Sequence, residues 1–319
     1  MTRPRPFCQV DVFTHSAGFG NPLAVVLDGE GLSDEAMQRF ARWTNLSETT
    51  FVLPPTAAGA AQGADYRVRI FTPGGELPFA GHPTLGSAHA WLASGGKPRR
   101  AGLLLQECGV GLVTLRQIQQ EDGALRLAFA APALRRSAPS PMQLAKVAQA
   151  LGLKAAQIEA AQLLDNGPMW LGLLLSDADT VLSVRPDHAA LKALGVKVGL
   201  AGRPAQAPEP LLIARGNREA RAFAQAQPKP AEAAAEAGVD LEVRAFATPI
   251  GVEEDPVTGS LNASLAQWLI ADGHLPAQYV AGQGQCLGRE GRVHIARDAD
   301  GLVWVGGDVA PCITGSVLL

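Results

Sequence analysis

Short segments of strand character follow one another along most of the chain. In some of them apolar and polar residues alternate, and in others β-branched and aromatic residues dominate, which is typical of strands in half-buried sheets. These segments predict strands at 7–13, 23–27, 45–53, 66–71, 103–105, 111–115, 125–129, 169–175, 239–246, 293–295, 302–305 and 312–319. Apolar residues at helical spacing between capping signals predict helices at 34–44, 83–94, 141–151 and 261–272. Ser33 and Ser140 are the predicted N-caps of the helices at 34–44 and 141–151. The chain is therefore predicted to be an α+β protein.

Two of the predicted helices, 83–94 and 261–272, carry matching end signals. Pro83 suits a first helical position, and Gly95 and Gly273 suit the left-handed residue that follows a last turn. The second helix is apolar around most of its circumference, which predicts that it is buried in a core.

The segments that precede these two helices are copies of one motif. Glu-Leu-Pro-Phe-Ala-Gly-His at 76–82 returns as Glu-Asp-Pro-Val-Thr-Gly-Ser at 254–260, with Glu, Pro and Gly in register. Upstream, 68–71 resembles 243–246. We interpret each copy as a strand, a turn and a helix, and the whole chain as two pseudo-symmetric domains. Helices that open on Gly-His or Gly-Ser offer free N–H groups and a positive dipole end, which favour a small anion.

Composition and charge narrow the function. With 319 residues, 47% of them hydrophobic, the chain can form two cores of roughly 130–160 residues each. A net charge of −3 and the lack of a long basic tract argue against nucleic-acid binding. The N-terminus has no signal-like apolar region, and no apolar run has the length of a membrane span. We expect a soluble, cytoplasmic protein.

The cysteines and histidines do not predict a metal or disulfide site. The four cysteines lie far apart without a Cys-x-x-Cys pair, so we expect reduced and mostly buried thiols. The histidines lack metal-ligand spacing. We expect neither a metal ion nor a cofactor. The run 282–291 is rich in glycine but lacks the spacing of a phosphate-binding loop, and is predicted to connect two strands.

Several motifs in chain order resemble the PhzF-like family of phenazine-biosynthesis isomerases. They are Gly-Asn-Pro-Leu-Ala-Val at 20–25, Asn-Leu-Ser-Glu-Thr at 45–49, Phe-Ala-Gly-His-Pro at 79–83 and the second motif at 254–260, with Gln-Gly at 283–284 and Gly-Arg at 288–289. The resemblance implies a diaminopimelate-epimerase-like fold. In this fold two similar domains each wrap a mixed, mostly antiparallel, barrel-like sheet around one central helix, and the active site lies in the cleft between them.

This resemblance also sets the expected domain bounds. An N-terminal domain would comprise 1–133 and the tail from about 310 to 319, because the apolar tail would cross back to pair with the first domain. A C-terminal domain would comprise 140–309. The segment 131–141, rich in Pro, Ala and Ser, is predicted to be the linker between the domains. A homodimer is expected.

Glu48 is the predicted catalytic residue. On its own, one carboxylate in a strand is ordinarily an exposed edge residue, but the resemblance implies general acid–base catalysis. If Leu46, Phe51 and the sheet surround this carboxyl, burial raises its pKa, and it can both take and return a proton near neutral pH.

The resemblance implies that the substrate-binding residues lie at the two motifs. They are Gly81, His82, Asp255, Thr258, Gly259 and Ser260. Asp255 is either a turn residue or a hydrogen-bond acceptor for a substrate amine or hydroxyl. Epimerases and proline racemases of this fold carry cysteines at the places of His82 and Ser260, so a two-thiol racemisation is disfavoured here.

The two motif glutamates are assigned a structural part. Glu76 and Glu254 occur at the same turn of both copies, where they are predicted to bind backbone N–H groups.

These observations favour a cofactor-independent isomerase that moves a proton and a double bond in a small cyclic or unsaturated carboxylate. Two alternatives stay open. One is a racemase or epimerase of a small amino acid, and the other is a relative that binds a small molecule without turnover.

Overall fold

The computed structural model describes residues 2–121, 123–204 and 238–319, so most of the segment 201–238, for which the sequence predicts no element, lies outside the described residues. The helices are α1 Asp34–Thr44, α2 Ala57–Ala61, α3 Gly81–Ala93, α4 Pro141–Leu151, α5 Ala178–Ser183, α6 His188–Leu194 and α7 Gly259–Ala271. Among them none is both long and apolar enough to cross a membrane. The strands are β1 Pro4–Val12, β2 Asn21–Val26, β3 Glu48–Leu53, β4 Tyr66–Thr72, β5 Gly75–Leu77, β6 Leu103–Cys108, β7 Gly111–Gln119, β8 Leu125–Ala130, β9 Arg135–Ser137, β10 Ile158–Asp165, β11 Met169–Leu175, β12 Val198–Gly202, β13 Leu241–Ala247, β14 Val252–Asp255, β15 Gln278–Gln283, β16 Gly291–Arg297, β17 Val303–Gly307 and β18 Val309–Leu318.

The described strands form one continuous mixed sheet. Its order is β18-β1-β2-β3-β4-β6-β7-β8 in the N-terminal half and β17-β16-β15-β13-β12-β11-β10-β9 in the C-terminal half, and antiparallel pairing of β8 with β17 joins the halves. β5 pairs with β4, and β14 with β13. The pairs β2–β3, β4–β6, β11–β12 and β13–β15 are parallel, and the other described pairs are antiparallel.

The two halves repeat the same connections. In the first half β4, β5, α3, β6, β7 and β8 follow one another, and in the second half β13, β14, α7, β15, β16 and β17 do. α3 packs against β1, β2, β3, β6 and β8, and α7 packs against β10, β11, β16 and β17. One apolar core contains side chains from both helices, including Leu85 and Leu265. The mixed sheet around two buried helices is the α+β architecture predicted from the sequence.

Each half of the sheet includes one strand that lies, along the chain, just after the last strand of the other half. After β8 the chain crosses over, and β9 pairs with β10. After β17 it crosses back, and β18 pairs antiparallel with β1 over the whole length of that strand. The linker predicted at 131–141 therefore contains a strand, and the tail strand begins at Val309 rather than at 312. The predicted domain bounds of 1–133 with 310–319, and 140–309, stay a prediction.

Local end signals place the four predicted helices to within two residues, whereas the short helices α2, α5 and α6 were not predicted. Ser33 and Ser140 cap α1 and α4 as predicted, each accepting a hydrogen bond from a backbone N–H three residues later. α3 and α7 begin two residues before the predicted starts, at Gly81 and Gly259, so Pro83 is the third helical residue. A proline is tolerated there because the N–H groups of a first helical turn have no acceptor within the helix.

The thiols are unpaired, and only two of them are buried. Cys8 and Cys108 lie in the core, whereas Cys286 and Cys312 are exposed. The prediction of mostly buried cysteines is correct for the first pair and wrong for the second.

Candidate active site

Glu48 is the first residue of β3 and faces α3. Side chains alternate between the faces of a strand, so Glu48 lies on the same face as Thr50. The Thr50 hydroxyl accepts a hydrogen bond of 2.8 Å from Ser87 of α3. Phe51 points to the opposite face, where it packs with Met37 in the cluster beneath α1. The prediction that Phe51 would surround the Glu48 carboxyl is therefore wrong, because it ignored this alternation.

The carboxyl of Glu48 lies beside the imidazole of His82, the second residue of α3. Glu48 Oε2 and His82 Nε2 are 3.2 Å apart, but their alignment does not make a hydrogen bond. Within the part of the chain that the structure describes, both atoms are buried and lack a hydrogen-bond partner. Because buried polar atoms are nearly always paired in folded proteins, these two are suited to a ligand.

Burial sets the protonation states of this pair. Burial, together with the smaller effect of the nearby charge of Asp255, raises the pKa of Glu48 to about 8. Burial lowers the pKa of His82 to about 3. At neutral pH the carboxyl is therefore mostly protonated and the imidazole neutral, so the short contact is not an ion pair.

Asp255, the last residue of β14, is held by two donors. Its Oδ1 accepts 2.9 Å from Asn21 Nδ2, and its Oδ2 accepts 2.6 Å from the hydroxyl of Thr258. Burial raises the pKa of Asp255 to about 6, although both hydrogen bonds lower it. Asn21 also donates 2.9 Å to the carbonyl of Val257 and so ties β2 to the second motif.

Gln283, at the end of β15, fixes the turn before α7. Its Nε2 donates to the Asp255 carbonyl and to the Thr258 hydroxyl, both at 3.0 Å. Its Oε1 accepts from the Thr258 N–H at 3.0 Å and from Asn262 at 2.8 Å. Neither Gln283 nor Asn21 was predicted as a site residue, although both lie in the motifs that carried the family resemblance.

The two central helices begin in contact with each other. A Cβ atom built on Gly81 would lie 3.0 Å from the Cα of Gly259. The residues before the helices, Ala80 and Thr258, make no side-chain capping bond. The free N–H groups and positive ends of both helices therefore meet at one place beside Gly81 and Gly259, here called the cleft, which suits an anion.

Ser260 is the second residue of α7 and is equivalent to His82 in the repeat. Its hydroxyl accepts 3.2 Å from Trp170 Nε1, and its carbonyl accepts 3.0 Å from Asn166. The structure thus brings together every residue predicted for the site, namely Glu48, Gly81, His82, Asp255, Thr258, Gly259 and Ser260. Their roles stay predictions. Among the described residues, no three His, Cys, Asp or Glu side chains group as metal ligands would.

The motif glutamates bind guanidinium groups rather than backbone N–H groups. Glu76 accepts two hydrogen bonds from Arg69, of 2.7 and 2.6 Å, and Glu254 accepts two from Arg244, of 2.9 and 2.8 Å. The prediction of backbone partners is wrong, because each strand before the turn supplies an arginine that forms paired bonds with the carboxylate. The structural part assigned to both residues agrees with these contacts.

Comparison with known proteins identifies the family. The sequence profile of the family described as "Phenazine biosynthesis-like protein" matches residues 10–315. The chain belongs to this family. "Antisense-enhancing sequence 1" of Schizosaccharomyces pombe is 33% identical over 97% of both chains. "Trans-2,3-dihydro-3-hydroxyanthranilate isomerase" of Pseudomonas aeruginosa is 38% identical over 58% of this chain and 62% of that protein.

Solved structures of the phenazine biosynthesis-like family share the fold of this chain. A PhzF-family protein of Bacillus anthracis superposes with a TM-score of 0.77, over 99% of this chain and 100% of that chain, at 21% identity. The predicted diaminopimelate-epimerase-like fold is confirmed. Relatives that are named for an activity are isomerases, and the chain is accordingly an enzyme of the isomerase type.

Proposed function

We propose that this protein is a cofactor-independent isomerase that moves a proton, and with it a double bond, in a small cyclic or unsaturated carboxylate. One observation carries the proposal. The buried carboxyl of Glu48 lies 3.2 Å from a neutral imidazole, without a hydrogen-bond partner among the described residues, in the cleft where two helices begin. A carboxyl with a pKa near 8 is suited to taking and returning a proton at neutral pH.

The substrate carboxylate binds at the two helix ends. The N–H groups of Gly81 and Gly259 start the converging helices, and a helix end stabilises an anion by roughly 0.3–1 kcal/mol, or up to about 2 when partly buried. The hydroxyl of Ser260 adds a third donor at the same place. Together these donors orient the ligand so that its reacting carbons face Glu48.

The proton transfer needs one carboxyl group. Ionised Glu48 removes a proton from an allylic carbon, and the electron pair of that C–H bond forms a new double bond to the neighbouring carbon. The electron pair of the old double bond moves to its far carbon. The protonated carboxyl then returns the proton to the carbon at the other end of the shifted system. Neutral His82 contacts this carboxyl and positions it. Asp255 accepts a hydrogen bond from a substrate amine or hydroxyl, and the hydroxyl of Thr258 holds Asp255 in place.

The racemase alternative fits these residues less well. Racemisation by two bases requires an acid and a base on opposite faces of one carbon. Ser260 stands at the second position, and its hydroxyl is not acidic enough for that role, while the low pKa of His82 makes its imidazole a weak base.

The test is an assay in D₂O with trans-2,3-dihydro-3-hydroxyanthranilate, the substrate in the name of the Pseudomonas relative, together with other small cyclic unsaturated carboxylates. Glu48→Gln keeps the side-chain shape and removes the base. We expect it to lower turnover at least 100-fold while binding persists. Glu76→Gln is the matched control. It makes the same change in the first copy of the motif, but Glu76 pairs with Arg69 away from the reacting atoms.

Three results would count against the proposal. Wild-type turnover by Glu48→Gln would remove Glu48 as the base. Binding without any deuterium uptake would favour the non-catalytic relative, and exchange at the α-carbon of an amino acid with inversion would favour the racemase.

A further inference from the structure

The side chain of Trp170 lies at the start of α7 and donates its only hydrogen bond to Ser260. Trp170 belongs to β11, is 3% exposed and pairs with Leu164 across the sheet. Its Nε1 lies 3.2 Å from the Ser260 hydroxyl. The indole is therefore fixed on the sheet, whereas the serine that it contacts lies at the edge of the cleft.

This contact decides what the serine can do. A hydroxyl has one hydrogen and two lone pairs, and an indole N–H can only donate, so Trp170 occupies a lone pair of Ser260. Among the described residues the hydroxyl hydrogen has no acceptor of its own. It is therefore available to an acceptor in the cleft, beside the free N–H groups of the helix end.

A second contact from the same hairpin fixes the backbone of this serine. Asn166, just before β11, donates 3.0 Å to the Ser260 carbonyl and is itself 7% exposed. His82 is at the equivalent place on α3. In contrast to the Ser260 hydroxyl, its side-chain Nε2 has no hydrogen-bond partner within the described residues. The two ends of the cleft thus differ, with a fixed hydroxyl donor at α7 and a buried, uncharged pair at α3.

We propose that Trp170 is a positioning residue that turns the Ser260 hydroxyl into a donor for the substrate carboxylate, and so gives the ligand one orientation in the cleft. The inference rests on the proposed function, because it takes the ligand to be a small carboxylate. It adds that Trp170 directs the hydroxyl hydrogen of Ser260 and thereby fixes the carboxylate at the α7 end.

The experiment is a double-mutant cycle read out by equilibrium binding. Wild type, Trp170→Phe, Ser260→Ala and the double variant are titrated calorimetrically with anthranilate, and with anthranilamide as the uncharged analogue. Phe keeps most of the aromatic volume and removes the N–H. Trp304→Phe is the matched control, since that indole is also buried, in β17, and donates 2.8 Å to Asp298 away from the cleft.

We expect Trp170→Phe to weaken anthranilate binding roughly 3- to 10-fold, the range of one hydrogen bond, and to weaken anthranilamide binding less, because a neutral amide oxygen is a weaker acceptor than a carboxylate. In the Ser260→Ala background the same change should have no further effect, because its target is gone. Trp304→Phe should bind like the wild type. Where a substrate is turned over, Trp170→Phe should raise KM more than it lowers kcat.

Two results would show that Trp170 only packs the core and would overturn the proposal. One is an equal loss of anthranilate affinity for Trp170→Phe in the wild-type and Ser260→Ala backgrounds, and the other is an equal loss of affinity for anthranilate and anthranilamide. A wild type that binds neither probe would also overturn it. The failure of the proposed function is a separate result, because unchanged turnover by Glu48→Gln rejects the proton transfer whatever the binding cycle gives.

Discussion

A Cβ atom built on Gly259 would lie 2.9 Å from the Cα of Gly81, so the two central helices meet through their backbones with no side chain between them. The contact joins residues far apart in the chain, one at the start of each helix. It sets the separation of the two positive helix ends, and hence the width of the cleft in which an anion would bind.

Gly259→Ala should therefore impair the site more than the fold. Because the added methyl group meets backbone rather than a flexible side chain, the helix ends must move apart, at a cost of about 1–3 kcal/mol. We expect a loss of activity of at least about 10-fold, since small displacements of reacting groups are costly. Urea denaturation and a steady-state assay measure the two effects.

Gly75→Ala is the control for this change. A Cβ atom at Gly75 meets no atom within 4 Å, so its stability should stay within about 0.5 kcal/mol of the wild type. An active Gly259→Ala variant would show that the close approach is not required.

The rate should depend on the ionisation of Glu48. If the ionised carboxyl removes the proton, kcat/KM should rise about tenfold per pH unit below pH 8 and level off above it, following the pKa of about 8. Asp255→Asn removes the neighbouring charge that helps to raise this pKa, so the midpoint should move to lower pH. A rate that instead falls above pH 8 would mean that the protonated carboxyl acts first.

The stability of the fold should also depend on the ionisation of Glu48, but it should fall with rising pH where the rate increases. The pKa of Glu48 is raised from an ordinary 4.5 to about 8, so the folded state holds a proton that the unfolded chain releases between these values. The free energy of unfolding should thus decrease as the pH rises from about 4.5 to 8, by a few kcal/mol at most. In Glu48→Gln this part of the decrease should disappear, which urea denaturation across that pH range would measure.

The two arginine–glutamate pairs of the repeat should differ in strength. The side chains of Arg244 and Glu254 are 4% and 9% exposed, against 15% and 42% for Arg69 and Glu76. Glu254→Gln leaves a buried guanidinium without its counter-charge and should cost about 3 kcal/mol or more. Glu76→Gln should cost less than about 1 kcal/mol, because solvent screens that pair and Arg69 also binds Asp34. Equal costs in denaturation experiments would contradict the role of burial.

Deletion of residues 312–319 should abolish activity. The deletion removes the partner of β1 from Pro4 to Gln9 and leaves backbone groups of β1 unpaired. We expect binding of a hydrophobic dye to increase, and a synthetic peptide of residues 312–319 added in trans to restore part of the activity. A truncated protein with full activity and unchanged dye binding would show that the tail is dispensable.

Much of the local structure follows from the sequence alone. Ser33 and Ser140 cap their helices, and Gly95 and Gly273 have the positive φ angles that follow a last turn, since these preferences depend on neighbouring residues. The motifs at 20–25, 45–49, 79–83 and 254–260 were likewise sufficient, through the family resemblance, for the family, the fold class and the seven residues predicted for the site.

Only the tertiary structure decides which groups face each other. The strand pairings place Glu48 against His82 and Phe51 behind the sheet, bring Arg69 and Arg244 to the motif glutamates, and draw Asn21, Gln283 and Trp170 into the site. The contacts of Glu48, Asn21, Gln283 and Trp170 join residues that are distant along the chain, and the arginine–glutamate contacts depend on the pairing of β4 with β5 and of β13 with β14. Their geometry depends on the register of the whole sheet, which no local pattern of side chains encodes.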